Sequence, residues 1–328
     1  MPDFLAADGF RRAAETIRAG GLVAVPTETV YGLAADATNA EACARIYAAK
    51  GRPRFNPLIS HVADTEAARL HGLFDARALA LADAFWPGPL TLVVPRRPGS
   101  PVCDLVTAGL DSIALRVPDS PVMQALSREA GCPLAAPSAN RSGRISPTTA
   151  QAVDEDLGER VAVILDTGPT RVGVESTIVA LLEDEARLLR PGGTAREDLE
   201  RVLGAPLADP TARDTDTPAG PGMLKSHYAP RARVRLEARD IDPGEAFLGF
   251  GPVPEEIARK ACAARTLSET YNVEEAAARL FSDLRTLDAT GAASIAVAPV
   301  PKTGLGEAIN DRLTRAAAER TGAGARAD

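Results

Sequence analysis

Residues 21–36 read GLVAVPTETVYGLAAD, and the change of character within them sets the fold class. GLVAVPTE (21–28) is a short apolar run that ends on a proline and a polar turn, the pattern of a buried strand and too short for a helix. Thr27, Glu28, Thr29 and Tyr31 then crowd together ahead of Gly32. Hydroxyls and an aromatic just beyond a strand end are what an α/β ligand crevice uses, although taken alone the segment also reads as a Thr-rich turn. NAEACARIYAAKG (39–51) follows as a helix closed by Gly51.

The alternation continues outward from there. Strands are expected at NPLISHVAD (56–64), LTLVVPR (90–96), SIALRVPD (112–119), CPLAAPSAN (132–140), VAVILDTG (161–168) and ESTIVALLED (175–184). Helices are expected at DARALALADAF (75–85), PVMQALSREAG (121–131), TTAQAVDEDLG (148–158) and REDLERVLG (196–204), with Phe10, Ala14 and Ile17 marking an amphipathic first helix. Residues 1–206 are therefore one α/β domain on a mixed sheet. Over 207–232 the periodicity gives way to Pro, Gly, Asp and Thr, a linker composition. Yet MLKSHYAP within it carries a lysine, a histidine and an aromatic, more chemistry than a tether requires. Residues 233–328 form a smaller α/β unit, with strands at RVRLEA, AFLGFG, ACAARTLS and SIAVAPV and helices at NVEEAAARLFSDLRTLDAT and GEAINDRLTRAAAER.

Composition removes several function classes. With 328 residues, 45% hydrophobic and 25% charged, the chain is long enough for two cores and is not a disordered polymer. No apolar run approaches the length of a membrane span, and the N-terminus is not a secretory signal. The net charge of −7 is shared: residues 1–206 carry 21 basic against 26 acidic residues, which argues against a nucleic-acid coat and gives no support to direct tRNA binding. Cys43, Cys103, Cys132 and Cys262 contain no CxxC pair, and His61, His71 and His227 are scattered, so structural zinc is not expected. The cysteines read as reduced core residues of a cytoplasmic protein. GPGMLKS (220–226) fails as a phosphate loop because Leu224 precedes the lysine, and TGLGEAIN (303–310) is too short a signal for a dinucleotide fingerprint.

Three further segments carry chemistry. KGRPRFNPLISH (50–61) places Lys50, Arg52 and Arg54 on a path stiffened by two prolines, with Asn56 following. Three cations on a rigid loop suit a polyanion, although a helix C-terminus would by itself account for Lys50. AAPSANRSGRISPT (135–148) offers Ser138, Asn140, Ser142 and Ser146 beside Arg141 and Arg144, a loop able to hold phosphate or ribose oxygens or simply to cap the next helix. Ser112 and Arg116 share a strand face at a spacing of four. Glu175, Ser176 and Thr177 open a strand, and Arg190 precedes a Pro-Gly-Gly turn.

Each piece is ambiguous, but their order is not. PTETVYGL, KxRPxxNPLxxH, SxxxR, APSAN with SxSP nearby, ESTI and RPG, followed by KSHYAPRA in the linker, together resemble the YrdC-domain family, and within it the two-domain threonylcarbamoyl-AMP synthases. The resemblance implies a twisted, mixed-sheet YrdC-like domain, an extended linker and a small Rossmann-like C-terminal domain. It implies a nucleotidyltransferase that converts L-threonine, bicarbonate or CO2 and ATP into L-threonylcarbamoyl-AMP and pyrophosphate. The product would pass to a separate tRNA threonylcarbamoyl transferase complex for N6-threonylcarbamoyladenosine modification.

By matched position, Lys50 and Arg52 are the catalytic cations holding the triphosphate. Asn56, Ser112, Ser138, Asn140, Ser146 and Arg190 line the ATP side. Thr29, His61, Arg116, Ala136 (through its backbone) and Ser176 fall at threonine-binding positions. Arg116 is the group suited to a buried carboxylate. Tyr228 matches a linker tyrosine that reaches threonine, which makes the linker a candidate lid over a hydrolysable intermediate. Mg2+ is expected with ATP, without a dedicated protein cage, and no organic cofactor is expected. Two other readings keep parts of the pattern. A carbamoyltransferase with another acceptor would need modules that this chain lacks, and an RNA-binding or ribosome-assembly module would need a basic face.

Overall fold

A computed structural model describes residues 3–6, 9–53, 55–210 and 227–318. They divide into two compact units, Met1–Ser142 with Ser146–Met223 and Gly143–Ile145 with Leu224–Asp328.

The first unit is built on ten strands: β1 (Asp3–Leu5), β2 (Val23–Pro26), β3 (Tyr31–Asp36), β4 (Ile59–His61), β5 (Leu90–Pro95), β6 (Ser112–Arg116), β7 (Leu134–Ala135), β8 (Val163–Leu165), β9 (Thr177–Ala180) and β10 (Arg187–Arg190). They form one mixed sheet in the order β1-β8-β2-β3-β7-β4-β6-β5-β9-β10. The helices are α1 (Phe10–Arg18), α2 (Ala40–Lys50), α3 (Thr65–Arg69), α4 (Ala76–Phe85), α5 (Asp104–Thr107), α6 (Pro121–Ala130), α7 (Ala150–Leu157) and α8 (Arg196–Leu203).

Side-chain alternation gives the sheet two unlike faces. One face sends Tyr31, Leu33, Leu92, Ile113, Leu115 and Val179 into the main core, against Ile46 of α2, Leu81 of α4, Val153 of α7 and Leu199 of α8. The other face is divided. Over β8, β2, β3 and β7 it is covered by Ala13, Ala14 and Ile17 of α1 and by Met123 and Leu126 of α6. Over β4, β6, β5, β9 and β10, a separate small cluster of Ile59, Val93, Ala114, Ile178, Ala180 and Leu189 comes from strands alone. His61, Ser112, Arg116, Thr91 and Ser176 are at positions of the same parity and so share this second floor.

Several elements differ from the sequence reading, which did not anticipate β1, α3 or α5. PTETVYGLAAD does not merely trail from a strand: Tyr31–Asp36 is itself β3, antiparallel to β2, with Thr27–Val30 as the turn. Its Gly-Leu-Ala-Ala core lacks β-branched residues, and it is strand because both of its edges are paired, to β2 and to β7. LLR before the glycines is likewise a strand, β10, with an irregular register against β9 between Leu188 and Arg190. The cysteine assignment also needs one correction. Cys43 is buried and Cys103 and Cys132 are half-buried, but Cys262 is exposed.

The second unit has four parallel strands, β11 (Arg233–Arg235), β12 (Ala246–Gly249), β13 (Ala263–Thr266) and β14 (Ser294–Val297), in the order β11-β14-β12-β13. Helices α9 (Glu255–Lys260), α10 (Val273–Asp288) and α11 (Leu305–Ala317) accompany them. The sequence reading did not anticipate α9, a six-residue helix with no buried residue and hence no apolar stripe to betray it.

Candidate active site

Helix α2 delivers the first functional side chain. Its N-terminus is capped by Asn39, whose side chain accepts from the Glu41 and Ala42 amides, and it ends at Gly51 with φ 62°, the left-handed turn that redirects the chain after Lys50. Lys50 is buried and points back into the 138–142 loop, donating to the carbonyls of Ser138 and Asn140 and, at 3.4 Å, to Asn140 Oδ1. The loop is tied further by Ser138 Oγ donating to Asn140 Oδ1 at 2.6 Å and by the Ser142 amide donating to the Lys50 carbonyl at 2.8 Å. Burial pushes the Lys50 ammonium well below its ordinary range, and neighbouring Arg52 adds to the shift. A bound polyanion would supply the counter-charge that this ammonium needs.

Of the three cations expected as a clamp, Lys50 and Arg52 are among the described residues. Arg54 lies outside the described residues. Arg52 is buried and commits donors to its own loop, Nε to the Asn56 carbonyl (3.3 Å) and Nη2 to that of Pro57 (2.9 Å). The Asn56 carbonyl also accepts from Tyr47 Oη at 3.1 Å. Its side chain is fully buried, and both amide atoms are without a hydrogen-bond partner. A buried amide left so is costly, and a ligand with a donor and an acceptor would relieve the cost.

A second cluster forms where the β2–β3 turn meets the ends of β4 and β6. Arg116 donates from Nη1 to Thr29 Oγ1 (3.1 Å) and from Nε to the Gly88 carbonyl (3.2 Å). Its Nη2 lies 2.8 Å from Glu28 Oε1. Thr27 Oγ1 pairs with Thr29 Oγ1 at 2.8 Å and closes the turn on the Val30 carbonyl. His61 is opposite Arg116 in the parallel β4–β6 register. It is buried, and desolvation together with the Arg116 charge holds its pKa at about 3, so it is a neutral imidazole, with Nδ1 unpartnered. Ala136 sits beside them with its amide committed to the Ile59 carbonyl.

A third group lies on β9 and β10. Ser176 Oγ pairs with Thr91 Oγ1 at 2.7 Å, and Arg190 Nη2 donates to the Ser176 carbonyl at 2.8 Å. Ser146 Oγ donates to Glu175 Oε1. Gly192 lets these strands approach: a Cβ there would lie 2.3 Å from the Glu175 carbonyl oxygen. Ser112 begins β6, half-buried, on the same face as Arg116 but four residues away, about 13 Å at strand rise. Asn56 likewise precedes β4 while His61 ends it. The expected ATP-side residues Asn56 and Ser112 thus lie toward one end of this floor, and the expected threonine-side residues His61 and Arg116 toward the other.

Tyr228 belongs to the second unit, where its ring is buried, stacked on Phe281 at 5.5 Å between ring centroids, with the Arg312 guanidinium 5.1 Å from its centroid. Residues 211–226 of the expected lid lie outside the described residues. The sequence reading gave no role to Glu28 or Glu175. Each stands next to a residue that it did single out, and only the fold turns them inward.

Residues 15–192 match the Sua5/YciO/YrdC family profile, described as telomere recombination, and residues 194–318 match the threonylcarbamoyl-AMP synthase C-terminal domain. The threonylcarbamoyl-AMP synthase of Bacillus subtilis strain 168 is 42% identical over 327 residues, covering 94% of this chain and 93% of that protein. The chain belongs to the two-domain threonylcarbamoyl-AMP synthase family. The synthase of Pyrococcus abyssi is 41% identical over 322 residues, covering 94% of each chain. The crystal structure of P. abyssi Sua5 complexed with L-threonine superposes with a TM-score of 0.87 at 37% identity, covering 97% of both chains. This family membership accounts for the mixed sheet and the second, parallel one together.

The neutral state of His61 has a measurable consequence. Between pH 6.5, the value for an exposed histidine, and about 3, the unfolded chain carries a proton on this residue that the native chain does not. Stability is therefore present in full above pH 6.5 and falls as the pH drops through that window, by up to about 1.4 kcal/mol per pH unit. Trp86, the sole tryptophan, is buried in the first unit and reports its unfolding. Its urea midpoint should fall between pH 6.5 and 4, and His61→Gln should flatten that slope.

Proposed function

We propose that this chain catalyses the synthesis of L-threonylcarbamoyl-AMP and pyrophosphate from L-threonine, bicarbonate or CO2, and ATP. The observation that carries the reading is the near full-length similarity to proteins of that name, one of them solved with L-threonine over the same two-domain fold. The arrangement of polar groups supports it. Arg116, Thr29, neutral His61, Ala136 and Ser176 would receive the amino acid at one end of this sheet floor. Lys50, Arg52, Asn56, Ser112, Ser138, Asn140, Ser146 and Arg190 would receive the nucleotide.

The α-ammonium loses one proton, and the neutral amine adds to CO2 and loses a second, giving a carbamate that keeps one N–H. A carbamate oxygen then attacks the α-phosphorus of ATP, and the bond to the β-phosphate oxygen breaks to release pyrophosphate. The residues make no covalent bond to the substrate. They bring two anions into line and hold charge, which is what such a transfer needs most. Lys50 and Arg190 are buried cations and so act with little solvent screening. Among the described residues no group of three or more His, Cys, Asp or Glu converges to hold a metal. We assign Mg2+ to the ATP phosphates, as part of the substrate, where it would neutralise the leaving pyrophosphate. Tyr228 and the linker around it are assigned to closure over threonine. We place the protein in the cytoplasm, handing its product to a tRNA threonylcarbamoyl transferase complex.

The test is pyrophosphate release from MgATP and bicarbonate with L-threonine, serine, valine or no amino acid. Release that requires threonine is expected. Release indifferent to threonine, or none, would remove the reading.

A further inference from the structure

Two buried charges meet at the end of β6 without satisfying each other. Glu28 and Arg116 have side chains 1% and 4% exposed, with Oε1 and Nη2 2.8 Å apart. The contact is not aligned as a hydrogen bond: neither oxygen of Glu28 nor Nη2 of Arg116 has a hydrogen-bond partner. A structural arginine–carboxylate pair ordinarily closes as a fork with two parallel bonds, and a buried carboxylate with nothing donating to it is expensive. The backbone at Glu28 is fixed. Its carbonyl accepts from the Val172 amide at 2.8 Å, and the Thr27 and Thr29 hydroxyls lock the turn on either side. The neighbouring His61 Nδ1 is also unpartnered and carries no charge.

The unmet demands are thus those of a carboxylate that accepts no aligned hydrogen bond and of one guanidinium nitrogen, Nη2, that donates none, 2.8 Å apart between two buried side chains. A zwitterion whose two charged groups hang from one carbon meets both demands. We propose that Glu28 is a specificity-determining residue that receives the α-ammonium group of the amino-acid substrate while Arg116 takes the α-carboxylate. This rests on the threonine reading above and adds to it the group that distinguishes an amino acid from any other carboxylate. A hydroxy acid of the same shape would bring a carboxylate to Arg116 and leave Glu28 facing it uncompensated.

The experiment is calorimetric titration of the full-length protein with L-threonine and with 2,3-dihydroxybutanoate, in which a hydroxyl replaces the amine. The wild-type protein should bind threonine at least about 100-fold more tightly, as a site built for a polar group rejects the analogue that lacks it. Glu28→Gln should lose most of that ratio, to within about threefold, with the affinity for the hydroxy acid unchanged or improved. Wild-type binding of both compounds with similar affinity would overturn the assignment without any variant. So would a folded Glu28→Gln protein that kept the full ratio. Where the glutamine variant does not fold, Glu28→Asp is read instead. Its charge is withdrawn by one methylene and should cut the ratio by about tenfold, and an unchanged ratio overturns the assignment. A wild-type protein that binds neither compound would count against the threonine reading itself, a result distinguishable from all of these.

Discussion

Lys50→Ala is expected to lower threonine-dependent pyrophosphate release by about 10²- to 10³-fold, the cost of removing one charged donor from a water-excluded transfer site. Two observations make the effect large. The ammonium is buried, so its charge is little screened where a triphosphate would lie. It is also held by the Ser138 and Asn140 carbonyls, so it fixes the loop that carries two more of the proposed ATP-side groups. Part of the loss is therefore positional, and the KM for ATP should rise as kcat falls. Stability should suffer as well. The variant removes the buried ammonium but orphans two carbonyls, a cost of about 1–3 kcal/mol each where water does not enter. Lys50→Met, which keeps the apolar stem, should recover packing without recovering rate. Steady-state pyrophosphate release and the Trp86 fluorescence transition separate the two contributions. A Lys50→Ala enzyme within twofold of wild type would take Lys50 out of the phosphate site.

The legible and illegible parts of the molecule divide on physical lines. Helix ends were readable because their chemistry is local: Asn39 and Thr149 accept from amides two or three residues on, and Gly51 and Gly131 take the left-handed turn. The pairing of Ser112 with Arg116 on one face followed from the period of two alone. β3 was hidden because Gly, Leu and Ala have no strand preference of their own, and its pairing partners β2 and β7 lie on opposite sides, one of them about 100 residues away. The loop bonds of Arg52 were hidden for a related reason. A basic residue on a Pro-stiffened loop looks like a ligand, but the loop itself has carbonyls at Asn56 and Pro57 to be satisfied, and the guanidinium answers them first. Glu28 was on the page in PTETV, but a carboxylate in a polar turn is usually solvated. Only the 2.8 Å approach of Arg116 from a strand 88 residues away shows that it is not.

Arg116→Met is expected to be the most damaging single change in the first unit, and for two separable reasons. It removes the fork assigned to the threonine carboxylate, so the KM for threonine should rise by at least about 10³-fold, the scale on which a buried charge pair discriminates. It also leaves Glu28 buried with no counter-charge, and breaking one side of such a pair costs about 3–5 kcal/mol. The second variant that separates these effects is Glu28→Gln/Arg116→Met. Removing both charges restores electrical neutrality to the site, and replacing a whole buried ion pair is often close to neutral in stability. The double variant should therefore regain most of the urea midpoint that Arg116→Met loses, read by Trp86 within the same unit, while threonine-dependent turnover stays absent. Loss of stability that the second substitution does not repair would mean that Arg116 holds the fold through its bonds to Thr29 and the Gly88 carbonyl and not through its charge. Turnover recovered in the double variant would mean that the carboxylate of threonine is held elsewhere.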